Sequence, residues 1–300
     1  MPTVEVPAGS VSYGDTGGDG PVVVLCHGVP MDGRCWRKVV PLLSGLRVIT
    51  PTLPLGGHRI AMRADADLTQ QGVAGILGDF LDALDLRDVT LVLNDWGGGQ
   101  FLINAGRTER IGRMVLAACE AFDNFPPKPA RVLAVAGRVP GAFWVLLQAM
   151  RLRPVRQMRG GYGAMAVAGI PDDLLRDWFT PARRDRRVRR DFAKFAAGAP
   201  PRRRLLELSR RWREFDRPVL VVWAAQDAMM PADHGPRLAA LYPDARLVVL
   251  EECATLIGED QPEKFAALLT GFVASADRSE PMSDGVGPGD APSQDRAGEP

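Results

Sequence analysis

Apolar residues along the chain switch between two spacings. Residues 3–13 alternate apolar and polar side chains, the period of a half-buried strand, and predict two short antiparallel strands. After the turn signal DTGGDGP, the run VVVLC at 22–26 has the continuous pattern of a strand buried on both faces. It ends in His27-Gly28-Val29-Pro30. A helix is predicted over 35–43 and another buried strand over 46–53, ending in the loop PLGGHR. Asp67-Leu68-Thr69 then opens a long helix with Val73, Ile76, Leu77, Phe80, Leu81 and Leu84 on one face. The decapeptide LVLNDWGGGQ, residues 91–100, reads as a strand that turns at once into a helix. The next strand is 113–119, with Glu120 directly after it.

The alternation stops at Phe125-Pro126-Pro127. From there to about residue 215 only helical segments are predicted, their ends marked by prolines at 140, 154, 171, 181, 200 and 201. It resumes with a strand at 218–223 ending in AAQD, a helix near 234–241, a strand at 247–250 and a helix over 262–273. Strands alternating with helices imply an α/β architecture, a mostly parallel, doubly wound sheet with right-handed crossovers. The expected organisation is a core at 1–121 and 216–275, a helical cap at 122–215 inserted after the sixth strand, and a disordered tail at 276–300.

Composition narrows the function classes. Hydrophobic residues are 46% of the chain, enough for a large core, and a net charge of +1 gives no whole-molecule attraction to nucleic acid or membrane. Charge is uneven, however: residues 122–217 hold 22 Lys/Arg against 9 Asp/Glu, a local excess of +13 that leaves −12 elsewhere. The Arg-rich run at 183–190 alternates with Asp185, Val188, Asp191 and Phe192, so it reads as an amphipathic helix with a solvated face. Cys26, Cys35, Cys119 and Cys253 show no disulfide or metal spacing, and no apolar run is long enough to span a bilayer. A reduced, cytoplasmic protein without metal or cofactor is expected, binding neither nucleic acid nor membrane; its oligomeric state is open.

The candidate chemistry begins at Asp95. A strand-to-helix turn places one residue on a tight bend, and the glycines after it let the helix approach the strand. Asp95 stands at that apex, where it is either a helix N-cap or a carboxylate nucleophile favoured by the N–H groups behind it. His27-Gly28-Val29-Pro30 supplies a turn in which the Val29 N–H can face developing negative charge, with the Trp96 N–H as the second donor. His27 itself reads as structural.

The elbow, the HGVP loop, the AAQD loop and the helical insertion together resemble the α/β-hydrolase fold over residues 1 to about 275. Within that fold the chain is similar to the haloalkane dehalogenase and epoxide hydrolase branch. The resemblance implies that Asp95 displaces a halide or opens an epoxide, leaving an ester for water to hydrolyse. It implies that the Trp96 indole holds the leaving halide. The triad acid would be Asp227, in the loop after the seventh strand, or Glu120, after the sixth, with Asp227 the closer match to the pattern.

The chain departs from the family at the base: counting back from Asp260-Gln261-Pro262 puts Thr255 where a His is expected. Thr is no general base near neutral pH. His58, in PLGGHR, is a candidate surrogate base, whereas His234 reads as a surface residue. Val29 stands where dehalogenases often have a halide-binding Asn, a role that Trp144 or Trp178 could take. Tyr162 is the one tyrosine of the insertion, where epoxide hydrolases need such hydroxyls, and 142–150 is expected to line a substrate cavity or form the cap's own core. Two functions follow: a hydrolase for an apolar halide, epoxide or ester-like molecule acting through Asp95, or a hydrolysis-deficient member of the fold that binds a ligand or catalyses a non-hydrolytic step.

Overall fold

The computed structural model describes residues 1–139 and 141–276. The tail expected at 276–300 lies outside the described residues, except for Ala276, which ends the last helix; Pro140 lies outside them too. Eight strands form one sheet: β1 (Thr3–Val6), β2 (Gly9–Asp15), β3 (Val22–Cys26), β4 (Arg47–Pro51), β5 (Val89–Asp95), β6 (Ile111–Cys119), β7 (Val219–Ala224) and β8 (Ala245–Leu250). Their spatial order is β1-β2-β4-β3-β5-β6-β7-β8. β1 and β2 pair antiparallel with each other, as does β2 with β4; every pair from β4 to β8 is parallel.

The order explains where a site can form. The chain leaves β3 for β4 on one side and returns to place β5 on the other, so β3 and β5 diverge at their carboxyl ends. A parallel sheet binds ligands at such a switch point. β5 is buried along its whole length because helices cover both faces of the sheet.

The helices are α1 (Gln70–Ala83), α2 (Phe101–Asn104), α3 (Arg131–Arg138), α4 (Ala142–Ala149), α5 (Arg153–Arg156), α6 (Asp172–Arg184), α7 (Arg186–Ala197), α8 (Arg202–Arg210), α9 (His234–Leu241), α10 (Ile257–Asp260) and α11 (Pro262–Ala276). Thr69 starts α1 by accepting the Gly72 N–H on its hydroxyl at 3.1 Å, and the expected apolar face is buried. Helices α3 to α8 occupy the excursion between β6 and β7. Two local expectations need correction. The helix expected over 35–43 is two 3₁₀ segments, Gly33–Trp36 and Val40–Leu42, because Pro41 lacks the N–H that would continue one helix. The helix after the elbow begins as a 3₁₀ turn, Gly98–Gln100, and runs only four residues further in α form.

Candidate active site

Asp95 ends β5 with φ +59, a left-handed backbone that a β-branched residue would resist and Asp tolerates. The bend turns its carboxyl toward the end of β3, where the Val29 N–H donates to Oδ2 at 2.8 Å. Gly28 makes the approach possible: a Cβ there would overlap the Asp95 carboxyl. Gly97 serves the other side, since a Cβ on it would collide with the Glu120 carbonyl. The Glu120 N–H donates to the Asp95 carbonyl at 2.8 Å and locks the bend to the end of β6. His27 fixes the turn from below, neutral because burial pushes its pKa down to about 4. Its Nδ1 bonds the Gly28 carbonyl at 2.8 Å, and its Nε2 accepts the Leu53 N–H at 2.9 Å.

Asp95 opens into a cavity beneath the helical excursion. Apolar side chains from α3, α4, α5 and α7, including Phe192 and Phe195, together with methionines and prolines of the intervening loops, form most of its wall. The titratable groups in that wall are Asp95, Glu120 and Tyr162, and Gln70 is its one amide. So apolar a setting disfavours charge. Burial raises the Asp95 carboxyl to about 7; the Val29 N–H opposes the shift and the nearby Asp227 adds to it. Glu120 is raised well above the usual carboxylate range, first by burial and then by Asp95, with the Gly97 N–H opposing. Its Oε2 is buried without a partner among the described residues. Burial and the Asp95 charge likewise hold the Tyr162 hydroxyl well above its ordinary value.

Asp227, in the loop after β7, is tied down. Its Oδ1 accepts the N–H groups of Met229 and Met230 at 2.7 and 3.1 Å and the Thr255 hydroxyl at 2.8 Å. Thr255 is fully buried after β8, and its carbonyl accepts the Asn94 side-chain amide at 2.6 Å. Asp227 is thus bonded to Thr255 within electrostatic reach of Asp95. Asp95, Glu120, Val29 and Tyr162 therefore line the cavity, while Asp227, close enough to act on the Asp95 charge, and its partner Thr255 are not part of the wall.

Four expected site residues lie elsewhere. The Trp96 indole is buried and donates to Gln70 Oε1 at 2.7 Å, while its backbone N–H folds back to the Asn94 carbonyl at 2.7 Å, so neither donor faces the cavity. Trp178 is buried against the loop after β3, its indole bonded to Asp32 Oδ1 at 3.0 Å. Trp144 projects outward on α4 and is 49% exposed. His58 is buried outside the cavity wall. Its Nδ1 accepts the Gly56 N–H at 3.3 Å, and its Nε2 lies 3.4 Å from Asp191 Oδ2, which clamps the loop after β4 to α7. The same Asp191 oxygen accepts the Met62 N–H at 2.8 Å. His58 is thus a fastening for the excursion, and His234 too is buried, edge-on to Phe122. Gln70 was not foreseen: a residue just inside a helix start carries no sequence signal that it will reach a cavity.

Residues 23–268 match the family described as alpha/beta hydrolase family. A haloalkane dehalogenase of Mesorhizobium japonicum is 34% identical over 139 residues, which span 44% of this chain and 44% of that protein. A 2-hydroxy-6-oxononadienedioate/2-hydroxy-6-oxononatrienedioate hydrolase of Paraburkholderia xenovorans is 26% identical over 279 residues, 87% of this chain and 90% of that one. Among solved structures, an ancestral haloalkane dehalogenase superposes with a TM-score of 0.74 at 21% identity, covering 93% of this chain and 100% of that one. A meta-cleavage product hydrolase of Pseudomonas fluorescens gives 0.71 at 21% identity, covering 92% and 98%. At such identities the structures speak for the fold alone. With the match extending from β3 to α11, the chain belongs to the alpha/beta hydrolase family.

Proposed function

We propose that the protein forms a covalent ester between Asp95 and an apolar epoxide or alkyl halide, and that Glu120 replaces the absent base when water hydrolyses it. The observation that carries the reading is a carboxylate held at a strained bend, aimed into an apolar cavity and oriented by one N–H, that of Val29. The relatives named as haloalkane dehalogenases support an electrophile of this kind. The helices α3 to α8 would serve as the cap that keeps water from the ester.

With an epoxide the steps balance as follows. Asp95 as carboxylate attacks a ring carbon, the carbon–oxygen bond breaks, and the ring oxygen takes the proton that the Glu120 carboxyl holds. Esterification removes the Asp95 charge, the second cause after burial that disfavours Glu120 ionisation, and so eases that ionisation when a base is needed. Glu120 then accepts a proton from water as the water oxygen adds to the ester carbon. Collapse expels the diol oxygen, which takes that proton back. One proton remains on the Asp95–Glu120 pair and returns to Glu120. With an alkyl halide the Asp95 oxygen–carbon bond forms as the carbon–halogen bond breaks, the halide leaves as the anion, and the Glu120 proton goes to solvent. Tyr162 supports the epoxide case as a second proton donor in the wall beside the Glu120 carboxyl, whereas the halide case loses the Trp96 indole, which Gln70 holds.

Incubation with styrene oxide and with 1-bromohexane, followed by intact mass and peptide mapping, tests the scheme. The wild type is expected to give a transient adduct on Asp95 with release of diol or bromide. With 1-bromohexane, Glu120→Gln should accumulate the same adduct and lose it about 10²–10⁴-fold more slowly, whereas with styrene oxide, which needs the Glu120 proton, the adduct should also form more slowly. Equal decay in both proteins rejects Glu120 as base; no adduct in either rejects the nucleophile. The Thr255–Asp227 pair favours a second reading, in which the adduct is terminal and the protein does not turn over. A wild-type adduct that persists for hours without product selects it.

A further inference from the structure

Residues 124–171 contain seven Lys/Arg and not one Asp or Glu. Arg156 is buried against Asp172, and the other six, Lys128, Arg131, Arg138, Arg151, Arg153 and Arg159, are exposed. The same stretch carries much of the exposed apolar surface. Val132, Val135 and Val139, at the i, i+3, i+7 spacing of one helical face, project from α3 and its end; Trp144 and Val145 project from α4. Val135 is 61% exposed and Val145 59%, although α3 buries its opposite face against α7. A soluble surface rarely gathers so many large apolar groups without a partner.

We propose that this face of the excursion docks on an anionic lipid surface, with the mouth of the cavity turned toward the bilayer. Two observations choose lipid over a protein partner. The segment's apolar side chains, a tryptophan among them, are interspersed along the sequence with arginines, with no acid between residues 124 and 171, and so match an interface with an apolar interior and anionic headgroups. Val132 and Met158 also belong to the cavity wall while each is 56% exposed, so the apolar face continues into the cavity rim. An apolar substrate dissolved in the bilayer would then enter without crossing water. Among the described residues no helix is long and apolar enough to cross a membrane, so the contact is peripheral. This departs from the expectation of no membrane partner. That expectation rested on the chain's +1 net charge and on the lack of an apolar run long enough to span a bilayer, and neither bears on a surface contact made by one basic segment.

Vesicle sedimentation of the whole protein tests the proposal, comparing phosphatidylcholine with a phosphatidylcholine–phosphatidylglycerol mixture. Partitioning to the anionic vesicles is expected to be at least about tenfold stronger and to fall with added salt. Trp36, Trp96, Trp178, Trp212 and Trp223 are buried, so a blue shift in tryptophan emission on binding would come from Trp144 and vanish in Trp144→Ser. The double substitution Val135→Glu with Trp144→Glu should abolish sedimentation. Both sites are exposed and outside the cavity wall, so adduct formation with 1-bromohexane in detergent-free buffer should persist. No sedimentation with anionic vesicles at low salt overturns the proposal, as does binding that survives the double substitution. A dimer that the substitutions dissolve, without vesicle binding, assigns the face to a second copy and overturns it equally.

Discussion

Replacing Asp95 by Asn is expected to stabilise the protein above neutral pH and to leave it nearly unchanged in acid. The carboxyl goes from its ordinary 3.8 to about 7 in the fold, chiefly because burial in an apolar wall penalises the charged form. A difference of roughly 3 pH units corresponds to about 4 kcal/mol between the two protonation states. The sign follows from proton counting. Between about pH 4 and 7 the folded protein holds a proton that the unfolded chain has lost, so stability falls as pH rises through that window. Below it both states are protonated and the cost is absent; above it the full cost of the buried charge is present. Asn keeps an oxygen for the Val29 N–H but never ionises, so the variant escapes the decline. Urea unfolding of both proteins at several pH values reads the effect directly. The gap in favour of Asn should be near zero at about pH 4, grow by up to about 1.4 kcal/mol per pH unit, and level off above about pH 8. Curves that stay parallel across the whole range would refute the buried, destabilised carboxylate. The variant should form no adduct at any pH.

Further outcomes follow from the same geometry. Wild-type adduct formation is expected to rise with pH through about 7, where Asp95 ionises; a pH-independent alkylation rate between about pH 5 and 9 would contradict this. Thr255→His offers Asp227 the partner that its Oδ1 now finds in a hydroxyl, so decay of the Asp95 adduct should accelerate by about 10²-fold or more; a folded variant with unchanged decay places Thr255 outside the reaction path. His58→Ala should cost about 1–3 kcal/mol in urea unfolding, because it removes a buried partner of Asp191, and should leave the decay rate per folded molecule unchanged. A large loss of turnover at full stability would return His58 to the list of bases.

The sequence alone determined the scaffold. Periodicity carries that information locally: continuous β-branched runs such as VVVLC have the pattern of strands covered on both faces, and Thr69 with the face from Val73 to Leu81 has that of a capped helix covering one. The bend at Asp95 was equally legible, since a strand, an apex residue and three glycines need each other within a few residues. Tertiary structure alone decided which side chains face the cavity. Trp96 follows Asp95 in the chain, yet its indole points to Gln70, and Trp178, in a helix of the excursion, turns inward to Asp32. His58 sits in a loop at the carboxyl edge of the sheet, yet Asp191, 133 residues later, holds it away from the cavity. No spacing rule could place them, because a side chain's direction depends on partners that the chain brings near only after folding. The same holds for charge. Composition counts Asp95, Glu120 and Asp227 as three ordinary acids, and only their shared burial makes them compete for protons.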